Sequence, residues 1–141
     1  MIVQAALGWL GTPYHHQARV KGVGVDCAQL VAAVAEECGL IPANTVIQNY
    51  SPEWHLHNKE EKLVDMLVQF SCPEKTGEPI EPGDILVFKF GRVCSHLGIA
   101  TAHGMFIHAR IDQGKVVLNS LSGDWAKRHV RTFTFPQGQN R

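Results

Sequence analysis

The residues best suited to covalent chemistry lie at the start of one predicted helix. Asp26 is a good helix N-cap, and Cys27 follows it in the first turn. Unpaired backbone amides and the positive end of the helix dipole meet at this position. Both stabilise a thiolate, so the sequence predicts a Cys27 pKa in the reactive range, roughly 3.5–7.5. The alternative is that Cys27 is a small buried core residue, as free cysteines commonly are.

Two histidines, His96 and His108, are candidates for the groups that activate this sulfur. A thiol nucleophile needs a base within hydrogen-bond reach, and the base needs a third polar group to orient it. Imidazole suits the base because its pKa lies near neutrality. We therefore predict Cys27 as nucleophile, His96 as base and His108 as orienting residue. The alternative is that both histidines are ordinary strand residues.

The strands that carry the two histidines form a predicted hairpin. A two-residue turn at 103–104 would place His96 opposite Ile111 and His108 opposite Ile99. The resulting offset of about three residues, or ~10 Å, is too long for a direct hydrogen bond. A bulge or a strand twist must therefore shorten it.

A metal site is a competing interpretation of the same region. Cys94, His96 and His108 could supply three zinc ligands. No pair among them has the spacing of a strong zinc motif, which favours chemistry without a metal. No organic cofactor is expected either.

Composition predicts a single globular domain over residues 1–141. Hydrophobic residues make up 45% of the chain and charged residues 18%. Thirteen basic residues balance thirteen acidic ones, whereas nucleic-acid binders usually have a basic excess. No apolar run approaches the ~20 residues that a membrane span needs. Neither nucleic acid nor membrane is therefore an expected partner.

The N-terminal stretch is apolar but short, and it lacks a charged region before the apolar residues. This pattern predicts a helix that packs on the core and argues against a signal peptide. The protein is accordingly expected to be cytoplasmic when made. Its four cysteines are expected to stay unpaired, because a core of this size needs no disulfides.

Hydrophobic periodicity predicts helices first and strands after them. Helices are expected over 2–10, over 27–38, and from Ser51 with a restart at Asn58. Beyond residue 84 the period changes to two. The predicted strands cover 85–90, 96–102, 105–110, 115–121 and 129–135. This order predicts an α+β fold, with N-terminal helices packed on a five- to six-stranded antiparallel meander.

Five short motifs together resemble the NlpC family of papain-like cysteine peptidases of bacterial cell walls. In chain order they are 11–14 (GTPY), 26–27 (DC), 82–85 (PGDI), 95–99 (SHLGI) and 104–109 (GMFIHA). Residues 50–54 (YSPEW), without a signal peptide or wall-binding repeats, most resemble the branch encoded with phage and prophage tail genes.

The resemblance implies a papain-like fold and hydrolysis of a peptidoglycan stem peptide, typically between D-γ-glutamate and a diamino acid. It implies the same three catalytic roles for Cys27, His96 and His108. Tyr14 is similar to the tyrosine that lines the nucleophile's pocket. The backbone amide of Cys27 would join an oxyanion hole.

The chain departs from the family directly after the nucleophile. Ala28 and Gln29 stand where the family usually has serine and glycine. That serine helps to bind the N-terminus of the stem peptide in several relatives, so the substrate preference is expected to differ. We expect Tyr14, Asp26, Ala28 and Gln29 to line the substrate site.

Two other functions fit the same residues. One is acyl transfer or deamidation by the same cysteine, although related permuted acyltransferases place the histidine before the cysteine. The other is a phage tail assembly module with weak or no catalysis. The expected partners are a peptidoglycan peptide and phage tail proteins. The expected final location is a virion tail, the periplasm or the cell wall.

Overall fold

A computed structural model describes residues 1–47 and 62–136 of the chain. The predicted helix start at Ser51, its restart at Asn58 and the segment 50–54 lie outside these residues. Within them the helices are α1 (Ile2–Leu7), α2 (Cys27–Glu37), α3 (Lys62–Gln69) and α4 (Gly123–Arg128). The strands are β1 (Arg19–Val20), β2 (Gly24–Val25), β3 (Glu74–Lys75), β4 (Ile85–Phe90), β5 (Val93–Ala100), β6 (Met105–Ala109), β7 (Val116–Ser120) and β8 (His129–Phe133).

Six of the strands form one antiparallel sheet in the order β3-β8-β4-β5-β6-β7, and β1 pairs with β2 separately. This confirms the predicted α+β fold. The meander is correct for β4 to β7 but wrong for the last strand, which pairs with β4 and β3. Helix α4, predicted only as a turn, lies between β7 and β8 in the chain. This connection brings the chain from the β7 edge of the sheet to the position beside β4.

The main sheet is buried on both sides at its centre. Ile85 and Val87 of β4 face a core shared with α1, α2 and α3, which we call the helical side. Leu86 and Phe88 face the opposite way and pack with Phe106 and the partly buried Trp125 of α4. We call this second surface the aromatic side. Because side chains alternate along a strand, a double-sided strand reads as a continuous apolar run.

Helix α2 begins where the sequence predicts. Asp26 is its N-cap, and its Oδ1 accepts a 2.9 Å hydrogen bond from the backbone N–H of Gln29. Its Oδ2 accepts a 2.7 Å hydrogen bond from the backbone N–H of Gln17. Asp26 therefore ties the preceding loop to the helix start. The helix ends at Glu37, and Gly39 follows with a φ of 71°.

The motif at 82–85 has a structural role. The Asp84 carboxylate pairs with Lys75 at 2.7 Å, and both side chains are almost fully buried. The same oxygen accepts a 2.8 Å hydrogen bond from the backbone N–H of Glu81. Asp84 thus joins β3 to the turn before β4, and removal of either charge would deprive its buried partner of its shortest ionic contact.

None of the helices in the two described segments has the length and apolar content needed to cross a membrane. The four cysteines are free thiols. Helix α1 ends at Leu7, three residues before the predicted end, and the chain continues as turns toward Gly11.

Candidate active site

The β5–β6 hairpin has a register one residue away from the predicted one. Its turn at 103–104 is confirmed, with positive φ at both positions. Met105, however, accepts a 2.9 Å hydrogen bond from the N–H of Thr101 and donates a 3.3 Å hydrogen bond to the carbonyl of Ala102. Thr101 and Ala102 on one strand therefore both face Met105 on the other, as in a bulge. The strands pair Ile99 with Ile107 instead of with His108.

This one-residue shift decides where the histidines point. In the predicted register His96 and His108 would lie on opposite sides of the sheet, because a slip by one residue reverses a strand's faces. In the observed register, continued along the strands, His108 lies opposite Gly98 and His96 lies opposite Arg110. Both imidazoles therefore lie on the aromatic side. A Cβ on Gly98 would come within 2.8 Å of the Phe106 ring, so only glycine allows this packing.

The two histidines form a hydrogen-bonded chain that ends on a third residue. Nε2 of His96 lies 2.8 Å from Nδ1 of His108, and Nε2 of His108 lies 2.6 Å from Oδ1 of Asn119. The Asn119 oxygen can only accept, so His108 carries its proton on Nε2 and accepts on Nδ1. His96 must then donate from Nε2. This leaves the lone pair of His96 on Nδ1, where a base would need it.

Asn119 was missed by the sequence reasoning. It lies in β7 and pairs with Phe106, which puts its side chain on the same side of the sheet as the histidines. No motif marks it, and an asparagine in a strand near a turn is unremarkable by itself. Only the order β5-β6-β7 brings it next to His108.

An aromatic enclosure surrounds the histidine pair. The Trp125 ring of α4 lies 4.8 Å from the His108 ring and 5.5 Å from the His96 ring, centre to centre. Phe106 lies 4.5 Å from His108, and Phe88 lies 5.7 Å from His96. His96 is 4% exposed and His108 is fully buried. Burial is the main reason that the pKa of each histidine is lowered, so both are neutral at pH 7.

Cys27 reaches strand β5 at the backbone of Leu97. Its sulfur is close enough to the backbone N–H groups of Leu97 and Ala28 to interact with both. Leu97 directly follows His96, and the β5–β6 ladder has already ended at Ile99. The sulfur therefore approaches β5 beyond the paired part of the hairpin. Nδ1 of His96 makes no hydrogen bond to any described residue, Cys27 included.

The prediction of a low thiol pKa is wrong. Burial, followed by the negative charge of Asp26, raises the pKa of Cys27 to about 12. The amides of Leu97 and Ala28 and the charge of Arg110 lower it, but their effect is smaller. The sequence argument counted the helix N-terminus and omitted the desolvation of the sulfur and the adjacent carboxylate. Cys27 is therefore a neutral thiol at pH 7 that must lose its proton during the reaction.

The four predicted substrate-site residues differ in accessibility. Tyr14 is half-buried near the nucleophile, and burial, then the Cys27 charge, raises the pKa of its phenol. Asp26 is 2% exposed, and both its oxygens accept backbone hydrogen bonds. The Ala28 side chain belongs to the core of the helical side. Gln29 is buried, and its Oε1 has no hydrogen-bond partner. Substrate contact by these four residues stays a prediction.

The competing set of metal ligands does not converge. A register shift in the β4–β5 ladder pairs Phe88 with His96 but Lys89 with Cys94. Cys94 consequently joins the core of the helical side, whereas His96 and His108 face the aromatic side. Among the described residues, no three His, Cys, Asp or Glu side chains are grouped as a metal site.

The arrangement of helices and sheet is that of a papain-like NlpC/P60 domain. The structure is similar to that of the NlpC/p60 domain of the peptidoglycan hydrolase SagA, with a TM-score of 0.64 and 18% identity over 95% of this chain and 96% of that one. It is similar to the peptidoglycan hydrolase RipB of Mycobacterium tuberculosis, with a TM-score of 0.60 and 16% identity over 94% of this chain and 61% of that one. At these identities the similarity shows the fold.

A third similar structure is RipD of Mycobacterium tuberculosis, described as a non-catalytic NlpC/p60 domain protein adapted to peptidoglycan binding. Its TM-score is 0.57, with 10% identity over 94% of this chain and 92% of that one. The fold is thus compatible with catalysis and with binding alone. Comparison with curated proteins gave no match.

The sequence pattern of the NlpC/P60 family matches residues 11–134, which is most of the chain. The protein therefore belongs to the NlpC/P60 family.

Proposed function

We propose that this protein is a cysteine endopeptidase that hydrolyses peptidoglycan stem peptides at the D-γ-glutamyl–diamino acid bond. The observation that carries the proposal is the hydrogen-bonded chain from Asn119 through His108 to His96, which leaves Nδ1 of His96 without a hydrogen-bond partner among the described residues. Family membership and the likeness to SagA and RipB, both described as peptidoglycan hydrolases, support the substrate class.

In the acylation step, the sulfur of Cys27 attacks the γ-carbonyl carbon while its proton moves to Nδ1 of His96. The resulting imidazolium is stabilised through His108 and Asn119, which orient the ring. The backbone N–H of Cys27, in the first turn of α2, has no partner within the helix and can stabilise the oxyanion. Collapse of the intermediate breaks the C–N bond, and His96 donates its proton to the leaving amine.

In the deacylation step, a water molecule attacks the thioester carbonyl and gives a proton to Nδ1 of His96. The second tetrahedral intermediate collapses with loss of the sulfur, which takes the proton back. The D-γ-glutamyl carboxylic acid leaves, and Cys27 returns to its neutral thiol. No cofactor is needed for either step.

Digestion of purified peptidoglycan tests the proposal directly. Mass spectrometry of the soluble products should show stem peptides with a new γ-glutamyl carboxyl end and new diamino acid amino ends. Parallel incubation with Cys27→Ala controls for other hydrolases in the preparation. Binding to peptidoglycan without new chain ends would instead indicate a non-catalytic domain, as RipD is described to be.

The lowered histidine pKa predicts the pH dependence of hydrolysis. His96 must be unprotonated to accept the thiol proton, and its pKa lies well below 6.5 because of burial, His108 and Arg110. We therefore expect kcat/KM to stay constant between pH 6.5 and 8 and to fall only in more acidic solution. Initial rates on a soluble stem peptide would measure this profile. An acidic limb centred at or above pH 6.5 would contradict it.

Association with a phage tail is part of the proposal that rests on sequence alone. Its support is the resemblance of segment 50–54, which lies outside the described residues, to the phage and prophage branch. On this proposal, the tail would carry the protein to the periplasm or cell wall.

A further inference from the structure

Arg110 lies beside the catalytic base, and the steps above give it no direct role. It directly follows strand β6, two residues after His108, and its charge acts on His96. Its guanidinium carbon lies 4.3 Å from the centre of the Phe90 ring and 5.5 Å from that of the Trp125 ring. The same two rings lie 6.2 and 5.5 Å from the His96 ring. Arg110 therefore packs on the same two aromatic rings as His96, the proposed base.

Most of the hydrogen-bonding capacity of Arg110 is unused. Its Nε donates a 2.8 Å hydrogen bond to Asp112, a pair in which the two side chains are 24% and 55% exposed. The two terminal NH₂ groups make no hydrogen bond to any residue in the described segments. A guanidinium in this state is a planar set of free donors, and it matches the geometry of a carboxylate.

The charge of Arg110 reaches the reacting groups. It lowers the pKa of Cys27, of Tyr14 and of both histidines, although it is not the largest influence on any of them. An anion bound to its free NH₂ groups would lie within electrostatic range of the sulfur. Asp112 occupies only Nε, so the NH₂ groups remain open to an anion from outside the described chain, such as a substrate carboxylate.

We propose that Arg110 binds a free carboxylate of the stem peptide next to the bond that is cleaved. The inference rests on the proposed peptidase function and specifies its substrate. In a γ-linked D-glutamyl residue, four carbon–carbon bonds separate the γ-carbonyl carbon from the carbon of the α-carboxylate. In an extended chain these two carbons lie about 5 Å apart. The diamino acid offers the other carboxylate source. Amidation of the bound group removes its charge, so the enzyme discriminates between free and amidated stem peptides.

Four synthetic peptides test this inference. Each has the sequence L-Ala-γ-D-Glu-X-D-Ala, with the glutamyl α-carboxyl group free or amidated and with X as diaminopimelate or lysine. We expect the wild type to favour a free carboxylate by about tenfold or more in kcat/KM, as charge-assisted hydrogen bonds usually give. Arg110→Gln should abolish this preference. A difference between the free and amidated peptides would identify the glutamyl α-carboxylate as the ligand. A difference between the diaminopimelate and lysine peptides would identify the carboxylate of the diamino acid.

Arg128→Gln is the matched control. Its guanidinium lies 4.2 Å from the same Phe90 ring but belongs to α4 and reaches the Lys89 carbonyl. This variant should keep the wild-type preference. If Arg110→Gln lowered kcat/KM equally for all four peptides, or the wild type showed no preference, the inference would be wrong.

Calorimetric binding of the same peptides to Cys27→Ala, with and without Arg110→Gln, separates this inference from the proposed function. A carboxylate-dependent affinity that needs Arg110 would support the inference even if the wild type cleaved none of the peptides. Absence of cleavage would then refute only the peptidase proposal. Equal affinities for free and amidated peptides would refute carboxylate recognition.

Discussion

Cys27→Ala is expected to abolish stem-peptide hydrolysis, with a loss of on the order of 10⁴-fold or more in kcat. The sulfur interacts with the backbone N–H of Leu97, the residue after the proposed base His96. The side chain is half-buried, and its removal costs only the weak interactions of the sulfur with the N–H groups of Leu97 and Ala28. The free energy of unfolding should therefore change by no more than about 1 kcal/mol. Product release by chromatography and thermal unfolding would measure the two effects.

Cys38→Ala is the matched control for this variant. Cys38 is also a partly exposed free thiol, but it caps the opposite end of the same helix. Its replacement should leave hydrolysis within about twofold of the wild type, because surface and helix-end changes are usually small. Activity of Cys27→Ala comparable to that of Cys38→Ala would remove Cys27 from the mechanism.

Replacement of His96 is expected to have the second largest effect. Because Cys27 has a pKa of about 12, the attack on the substrate depends on a base that takes the thiol proton. His96→Gln should lower kcat/KM by about 10²–10⁴-fold. His108→Gln should cause a smaller loss and Asn119→Leu a smaller one still, because these residues act through the orientation of His96. Measurement of kcat/KM for the three variants gives the order.

His129→Gln is a suitable control for the histidine series. His129 is partly buried and lies 6.0 Å from the Phe88 ring, on the same wall as His96, but it hydrogen-bonds Thr132 in its own strand. We expect it to keep nearly full activity. A larger loss in Asn119→Leu than in His96→Gln would contradict the proposed direction of proton transfer.

The local elements were largely predictable because their signals are local. The Asp26 cap and the start of α2 follow from residue types within one helical turn. Strand β4 follows from a short apolar run between turn residues, and the turn at 103–104 follows from a glycine between two apolar segments. Helix α4 was missed because its six residues carry one apolar anchor, Trp125, and no helical periodicity.

The errors at the site arose from interactions between distant parts of the chain. The bulge opposite Met105 reversed the relative faces of the two histidine strands, and composition alone does not specify such a bulge. The thiol pKa depended on how completely the packed chain excludes water from the sulfur, which a helix-start motif does not reveal.

The sequence by itself determined the helix that carries Cys27, the main strands from Ile85 onward and the identity of the two histidines, because these depend on side-chain chemistry and short-range periodicity. Tertiary structure decided that both histidines share the aromatic side, that Asn119 extends their chain and that Arg110 packs on the same two aromatic rings as His96. Strand register and strand order set these relations, and both follow from packing among residues far apart in the chain.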